Sequence, residues 1–237
     1  MADAAGANAS GVLGDHVSLV RGTTYKSVLL GQPGPMLLGL ASIGRNGGFR
    51  SDSLRTYGGE SAKKLLLRPG DLFVSLKDVT QEGDLLGSVA RVPPEVELGR
   101  LTQDTVKLEL RGGSAPSNYL YWLLRTPDHR ETCRLHATGT TNLGLPREDF
   151  LALEVPPLTL ERQALVEMLD AIETKVVLNR QTNHTLEEMA SALFKSWFVD
   201  FDPIVAKADA RRPFGMDAAT AALFPPSFAT ASLISAR

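Results

Sequence analysis

The sequence predicts an α+β protein, in which a domain built on a mixed sheet precedes one long α-helix. Short apolar runs separated by glycine- and proline-rich turns fill residues 11–157, and such runs are typical of strands. Residues 160–198 contain no proline and no glycine, so nothing interrupts a helix there. Apolar residues recur along this segment at alternating spacings of four and three, which indicates a helix that packs against a second helix.

The composition excludes several classes of protein. The chain has 237 residues, of which 43% are hydrophobic, and its net charge of −2 is too small for a disordered protein. Its one cysteine, Cys133, excludes an intramolecular disulfide framework. The first ten residues lack the basic and apolar regions of a secretory signal, and no apolar run approaches the ~20 residues of a membrane span. We therefore expect a soluble cytoplasmic protein without a membrane segment.

The elements of the sheet domain follow from local patterns. Every second residue of 105–110 is apolar, which predicts a strand with one solvated face. Pro69 and Gly70 form a turn between two short apolar strands, and Pro156 and Pro157 end the last strand. Strands are accordingly predicted at 65–67, 72–74, 86–92, 105–110 and 150–155, and helices at 116–125 and 128–136.

The long helix is predicted to begin after Thr159, whose side chain can cap it, with Glu161 in the first turn where the helix dipole favours a negative charge. Such a helix is roughly 60 Å long, and a domain of this size cannot cover its whole apolar stripe. The helix therefore needs a second helix. The stripe, called the seam below, is apolar at eight of its ten positions: Leu165, Leu169, Ile172, Val176, Asn179, Asn183, Leu186, Ala190, Leu193 and Trp197.

Two asparagines stand next to each other in the seam. A buried Asn179 or Asn183 must meet another polar group, and this requirement fixes the register and the number of paired helices. The alternative is that the helix is frayed or exposed at these residues. At the end of the helix, Trp197 and Phe198 form an aromatic anchor that docks either on the chain's own domain or on a second chain.

Beyond Pro203 the composition changes. Residues 206–237 are rich in alanine and contain three prolines, which predicts a loosely ordered tail with one helical turn around 218–223. We place the domain boundaries at 11–157, 158–203 and 204–237.

Three loops of the sheet domain carry polar or basic side chains that suit a nucleic acid. The first is the loop at 45–50, which lies among glycines and begins a wider stretch, 45–68, that holds six basic residues against two acidic ones. Residues 138–142, Thr-Gly-Thr-Thr-Asn, concentrate hydroxyl and amide groups, and residues 77–80 follow a predicted strand. Each loop alone is also typical of an ordinary solvated loop. Together on one strand-rich domain they agree with nucleic-acid binding.

Signatures of enzymes are scarce. The chain has no phosphate-binding P-loop, no dinucleotide fingerprint, no nucleophile elbow and no zinc-protease motif, so we expect no cofactor. His129, Cys133 and His136 share a helical face and could suggest a metal site or an activated thiol. A fourth ligand and a group to orient the base are missing nearby, so a packed thiol with surface histidines is the favoured interpretation.

Several segments follow the pattern of a known family. The clearest are Leu-Phe-Lys-Ser-Trp-Phe-Val-Asp-Phe-Asp-Pro at 193–203 and Val-Pro-Pro-Leu-Thr-Leu-Glu-Arg-Gln at 155–163. Through them the chain resembles the type I restriction–modification specificity (S) subunits. The resemblance is strong over 155–203 and weaker over 1–137. Further matching segments lie at 69–73, 138–142, 169–172, 178–180, 183–187, 189–190, 215–217 and 221–225.

The resemblance implies a protein without a catalytic site of its own. Members of this family read one half of a bipartite DNA target with each target-recognition domain. Their long helices, paired as an antiparallel coiled coil, set the spacing between the domains and dock the methylation (M) subunits. The M and restriction (R) subunits supply adenine methylation, translocation and cleavage. The expected partners are therefore double-stranded DNA and the M and R subunits.

The sequence departs from the usual family pattern, because it carries one target-recognition domain and one helical region instead of two of each. This departure predicts a half-length subunit that forms a homodimer through the 160–198 helix and reads a palindromic bipartite site. A fragment of a longer gene product is the competing explanation. The alternative function is that of a coiled-coil adaptor whose globular domain binds protein.

Two sets of residues are predicted to carry these functions. The DNA contacts are assigned to Arg45, Asn46, Arg50, Lys77, Thr80, Thr138, Thr140, Thr141 and Asn142. The dimer or partner interface is assigned to Leu165, Leu169, Ile172, Val176, Asn179, Asn183, Leu186, Leu193, Trp197 and Phe198.

Overall fold

The structure is a computed structural model that describes residues 11–80, 82–112, 115–140 and 142–227. Its described part combines mixed sheets with a long helix, so the predicted α+β class is confirmed. The chain separates into two compact units, one that ends at Asp170 and one that begins at Ala171. None of the described helices is both long and apolar enough to cross a membrane.

The first unit holds the strands and four short helices. The strands are β1 (Gly11–Val12), β2 (Val17–Arg21), β3 (Met36–Leu38), β4 (Leu66–Leu67), β5 (Leu72–Ser75), β6 (Lys77–Asp78), β7 (Val89–Arg91), β8 (Gly99–Leu101), β9 (Thr105–Leu110), β10 (Leu143–Gly144) and β11 (Glu154–Val155). The helices are α1 (Leu13–His16), α2 (Ser117–Leu123), α3 (Pro127–Leu135) and α4 (Arg147–Leu151). Three single 3₁₀ turns lie at Ser27–Leu29, Leu40–Ser42 and Lys63–Leu65.

Two sheets form the centre of this unit. The larger one is antiparallel, with the strand order β2-β9-β5-β7. The smaller one has the order β3-β8-β4 and is mixed, because β3 runs parallel to β8 whereas β4 runs antiparallel to it. Two short ribbons, β1 with β11 and β6 with β10, complete the described sheets. The ribbon β6–β10 lies at the candidate site.

Strand β5 is buried on both faces and separates two apolar cores. Leu72 and Val74 point into a core that also contains Phe150, whereas Phe73 points into the core on the other side, with Leu101. Each fully buried side chain of this size contributes about 1.5–3 kcal/mol. A strand in this position favours apolar residues, as at Leu72, Phe73 and Val74. The buried Ser75 hydroxyl at its end accepts a hydrogen bond of 3.1 Å from the Lys77 amide.

The predicted strand at 150–155 is wrong. Residues 147–151 form α4, which follows Pro146 and carries Glu148 and Asp149 in its first turn, where the helix dipole favours acidic side chains. Only β11 is extended, and it pairs with β1. The predicted strand at 86–92 is likewise reduced to β7, because Gly87 adopts a φ of +70° in the preceding turn.

The long helix α5 (Leu160–Phe194) begins as predicted, since the Thr159 hydroxyl accepts a hydrogen bond from the Arg162 amide at 3.3 Å. It ends in a π-helical turn at Lys195–Val199. Phe201 follows with a left-handed φ of +55°, and this residue changes the direction of the chain before the next helix.

The second unit continues through α6 (Asp202–Ala208) and α7 (Ala218–Ala222). The described part of the predicted tail therefore has more structure than we expected, since Ile204 and Met216 are buried. Helix α7 coincides with the helical turn predicted around 218–223. Trp197 packs edge-on against Phe224 with ring centroids 5.9 Å apart, so part of the aromatic anchor docks on its own chain.

The thiol and the histidines on α3 are placed differently from the prediction. Cys133 is fully buried, as expected, but His129 is also buried, and its Nε2 lies 3.4 Å from the Cys133 Sγ. His136 is exposed. Among the described residues, no group of three or more His, Cys, Asp and Glu side chains is placed to hold a metal ion. The pair His129–Cys133 is part of the core.

The burial of His129 makes stability depend on pH. Burial, and secondarily the charge of Arg130, lowers the pKa of His129 from 6.5 to about 4. The unfolded histidine takes up a proton between these two values while the folded one does not. We therefore expect the free energy of unfolding to fall by about 3 kcal/mol as the pH drops from 6.5 to 4.

Urea unfolding at several pH values measures this contribution. The pH-dependent fall in the free energy of unfolding should disappear in His129→Asn. It should remain in His136→Asn, which changes an exposed histidine next to the end of the same helix. An identical pH dependence in the two variants would show that His129 is not the responsible group.

Candidate nucleic-acid interface

Strands β2 and β5 end, and strand β9 between them begins, at the same end of the larger sheet. Arg21 at the end of β2 is paired with Val106, and Ser75 at the end of β5 is paired with Thr105. Because β9 lies between these two strands, its first residues meet the last residues of both neighbours. Lys77, which follows β5, therefore lies at the same edge as Arg21.

The ribbon β6–β10 joins two of the predicted loops. Lys77 is paired with Gly144 and Asp78 with Leu143, which places the loop at 138–142 directly beside the loop at 77–80. Thr138 and Gly144 exchange backbone hydrogen bonds of 2.8 Å, so the loop closes tightly. Gly139 has a φ of +101°, and a Cβ there would lie 2.4 Å from the Asn142 carbonyl oxygen. This turn requires a glycine.

The loop that follows Lys77 is organised by a buried carboxylate. Asp78 accepts hydrogen bonds of 2.9 Å from both the amide and the hydroxyl of Thr80, and one of 2.7 Å from the Leu85 amide. The Thr80 hydroxyl therefore donates within the protein, and only its lone pairs are available to a ligand. Asp78 has a structural function that the sequence did not indicate.

A buried guanidinium ties this loop to the Arg45 loop. Arg130 donates to the backbone carbonyls of Arg45 and Asp84 and, at 2.7 Å, to the Ser88 hydroxyl. Only 5% of Arg130 is exposed. Its position explains how two loops that are about 40 residues apart in the sequence are held on one surface.

Two exposed arginines share one counter-ion on this surface. Arg45 Nη1 lies 3.7 Å from one Asp84 carboxylate oxygen, and Arg134 Nη2 lies 3.3 Å from the other. The Arg45 side chain is 75% exposed, so the pair is weak and a phosphate can compete with Asp84. Asn46 is exposed next to Arg45. The surface thus offers exposed cations to a polyanion.

The predicted DNA-contacting residues fall into three groups. Lys77, Thr80, Thr138, Thr140 and Asn142 are brought together by β6 and β10, and Arg45 and Asn46 join them through Arg130. Arg50 forms a local ion pair with Asp52, and the hydrogen bond from Arg50 lowers the pKa of the Asp52 carboxyl. Thr141 lies outside the described residues.

A cleft of about 400 Å³ opens at the shared strand edge. Leu19, Leu76, Val106 and Leu145 are among the apolar residues that line it. Polar and charged side chains also line it, and they are Arg21, Lys77, Gln103, Asp104, Thr138 and Arg147. Four of these six, Arg21, Gln103, Asp104 and Arg147, were not predicted, because they come from three distant segments that only strand pairing and the position of α4 bring together.

The seam residues lie in both units. Leu165 and Leu169 line a second cleft of about 620 Å³ against α2 and α3, and Val166, which is outside the predicted seam, is buried. Trp197 is half-buried and Ala190 exposed. The exposed seam and anchor residues of the second unit are Ile172, Val176, Asn179, Asn183, Leu186, Leu193 and Phe198.

Asp170 fixes the start of α5 within the first unit. Its carboxylate accepts hydrogen bonds of 2.9 Å from Trp122 Nε1 and from Arg91 Nη2, and one of 3.2 Å from the Asn118 amide. Burial alone would raise the pKa of Asp170, but the hydrogen bonds from Trp122 and Arg91 outweigh it and hold the pKa below its usual value. The carboxylate is therefore charged at neutral pH.

Two curated proteins are similar in sequence to this chain. It is 48% identical over 153 residues to the type I restriction enzyme HindI specificity subunit of Haemophilus influenzae, covering 59% of this chain and 33% of that protein. It is 32% identical over 88 residues to the type I restriction enzyme MjaIX specificity subunit of Methanocaldococcus jannaschii, covering 37% of this chain and 20% of that protein. The chain is homologous to type I restriction enzyme specificity subunits. The resemblance found in the sequence is thereby confirmed.

A solved specificity subunit from another organism provides the fold comparison. The crystal structure of the type I restriction–modification S subunit from M. genitalium matches 85% of this chain and 46% of its own, with a TM-score of 0.50 and 13% sequence identity. At that identity the likeness concerns the fold alone. The chain spans a third of the length of the first curated relative and a fifth of the second. No family model matches it.

Proposed function

We propose that this chain is a DNA-recognition subunit of a type I restriction–modification complex and directs the methylation and restriction subunits to a bipartite target. The chain itself does not catalyse a reaction, and it acts in the cytoplasm on double-stranded DNA. The observation that carries the proposal is the convergence of the loops at 44–50, 77–80 and 138–142 on one surface of a specificity-subunit homologue.

The chemistry of this surface supports the proposal. Arg45, Arg134 and Lys77 are exposed, and their acidic partners Asp84, Glu131 and Asp104 are themselves partly or well exposed. Phosphate oxygens can take the place of those carboxylates and release the condensed counterions of the DNA. The hydroxyl groups of Thr138 and Thr140 and the amide group of Asn142 lie on the same ribbon as Lys77 and suit base edges.

Arg45→Ala and Lys77→Ala test this surface. Each change removes a phosphate contact, so it should weaken DNA binding and lower the slope of log affinity against log salt by about 0.9. Fluorescence anisotropy of the full chain, assembled with its methylation subunit, measures both quantities. Arg68→Ala is the matched control, because Arg68 is exposed and lies before the opposite end of β5.

Two results would contradict the proposal. If both variants bind like the unaltered chain, the loops do not contact DNA. If the complex confers no sequence-specific adenine methylation, the chain is not a specificity subunit, and the adaptor function takes its place.

The chain is further proposed to form a homodimer through α5. Ile172, Val176, Leu186 and Leu193 are 42–56% exposed, and such an exposed apolar stripe on both sides of the two asparagines is typical of a contact surface. The spacing of the seam positions is symmetric about residue 181, since each position before it has a counterpart at the same distance after it. Two antiparallel copies therefore match all their seam positions when they cross at that residue.

This pairing also gives the two asparagines a partner. Asn179 of one copy meets Asn183 of the partner subunit, and the reverse contact follows from the two-fold symmetry. The amide groups can satisfy each other only in this register, which disfavours alternatives that are shifted along the helix. The dimer presents two recognition domains and reads a palindromic bipartite site.

A further inference from the structure

We propose that the turn at residues 102–104 reads DNA bases, and that Arg21 and Arg147 hold phosphates on either side of it. This inference rests on the proposed function and extends it to residues that carry no sequence motif. Arg21, Gln103, Asp104 and Arg147 line the 400 Å³ cleft together with Lys77 and Thr138, which belong to the predicted DNA-contacting set.

The turn is rigidly held. Thr105 Oγ1 accepts a hydrogen bond of 3.2 Å from the Thr102 amide and donates one of 2.7 Å to the Leu38 carbonyl, and both threonines are buried. The Thr105 amide also donates to the Thr102 carbonyl at 3.2 Å. Gln103, which is exposed, and Asp104 are therefore presented from a fixed backbone, as discrimination between bases requires.

The two side chains of the turn have complementary chemistry. The Gln103 amide carries a donor and an acceptor, which match the N7 and N6 groups of adenine in the major groove. The Asp104 carboxylate is an acceptor only and suits the amino group of cytosine or adenine. Lys77 Nζ lies 3.4 Å from Asp104 and partly offsets its negative charge, so the carboxylate can approach DNA.

The cations of the cleft are placed to hold the backbone. Arg21 is exposed at the end of β2, and its Nε donates to the Gln103 carbonyl at 3.4 Å, next to the turn. Arg147 is exposed at the first residue of α4, across the cleft. Three cations against one carboxylate give the cleft a net positive charge. Guanidinium groups bind phosphates with paired hydrogen bonds.

The experiment selects binding sites from a random duplex library with the full chain assembled with its methylation subunit. Gln103→Ala and Asp104→Asn should relax the selected sequence at the base pairs that they contact, by roughly 5- to 150-fold in discrimination, with an unchanged salt slope. Arg21→Ala and Arg147→Ala should keep the selected sequence but lower the salt slope by about 0.9 each. Arg111→Ala, an exposed residue beyond the opposite end of β9, is the control.

Two outcomes overturn the inference. If Gln103→Ala and Asp104→Asn select the same sequence with the same discrimination as the unaltered chain, the turn does not read bases. If the slopes of log affinity against log salt for Arg21→Ala and Arg147→Ala equal the slope for Arg111→Ala, Arg21 and Arg147 do not hold phosphates. Failure of the proposed function is a different result, since the unaltered complex would then select no sequence at all. If Arg45→Ala still weakens DNA binding while the four cleft variants behave like the unaltered chain, only this inference is rejected and the proposed function stands.

Discussion

A Leu186→Glu chain is expected to be monomeric at concentrations at which the unaltered chain is a dimer. In the proposed antiparallel pairing, Leu186 packs against Val176 of the partner subunit, and symmetry repeats the contact. The variant therefore buries two carboxylates without a counter-ion. At about 3 kcal/mol for each of them, Kd should rise roughly 10⁴-fold.

The helix itself should tolerate this change. Leu186 is 56% exposed in the single chain, and glutamate is nearly as good a helix former as leucine. Circular dichroism should therefore report the same helix content, whereas sedimentation equilibrium should report half the mass. The two measurements together separate a broken interface from a broken fold.

Leu178→Glu is the matched control for the interface. Leu178 lies on the same helix, is 51% exposed and receives the same new side chain, but it lies outside the seam. Its variant should remain a dimer. Equal dissociation in both variants would reject the seam as the contact, and a monomeric unaltered chain at micromolar concentration would reject the homodimer itself.

The sequence predicts best the elements that a local pattern determines. Strand β9 has the bounds that the alternation at 105–110 indicates, because Val106 and Leu108 face the core. Helix α5 follows from the lack of proline and glycine and from the Thr159 cap. Helix α4 was missed because a short apolar run does not distinguish a strand from a helix, and Phe150 is equally buried in either.

The sequence predicts only part of the candidate site, because some of its residues are marked by local composition and others are not. Loops rich in arginine, threonine and asparagine can be recognised from their composition, and this led to Arg45, Lys77 and Thr138. Arg21, Gln103 and Arg147 are 44 to 126 residues apart in the sequence and meet only through the pairing of strands around β9 and the position of α4. Long-range pairing of this kind leaves no local signal.

Arg130 shows a further limit of sequence reasoning. An arginine on an amphipathic helix is ordinarily exposed, and no spacing rule marks the exception. It is buried here because the Arg45 and Asp84 carbonyls and the Ser88 hydroxyl need a donor inside the protein. Burial, and secondarily the charge of Arg134, lowers the pKa of Arg130.

Replacing Arg130 by methionine is expected to weaken DNA binding although Arg130 faces the interior. The variant removes the guanidinium from two backbone carbonyls and the Ser88 hydroxyl, and that one hydroxyl cannot replace all of the lost hydrogen bonds. The free energy of unfolding should fall by about 3 kcal/mol. It also removes the buried tie between the Arg45 loop and the Asp84 loop, and leaves the Ser88 hydroxyl and the exposed Arg45–Asp84 ion pair to join them. Loss of their fixed arrangement should lower DNA affinity about tenfold, because the complex must then order them on binding.

A second destabilised variant separates this positioning function from a general loss of stability. Leu38→Ala opens a cavity in the core on the other side of β5 and should cost about 2–5 kcal/mol while both loops keep their ties to Arg130. At a temperature where both variants are fully folded, only Arg130→Met should bind DNA more weakly. Arg130→Lys should lie between, because one ammonium cannot reach all three acceptors. If Leu38→Ala weakens binding as much as Arg130→Met, Arg130 contributes stability alone and does not position the loops.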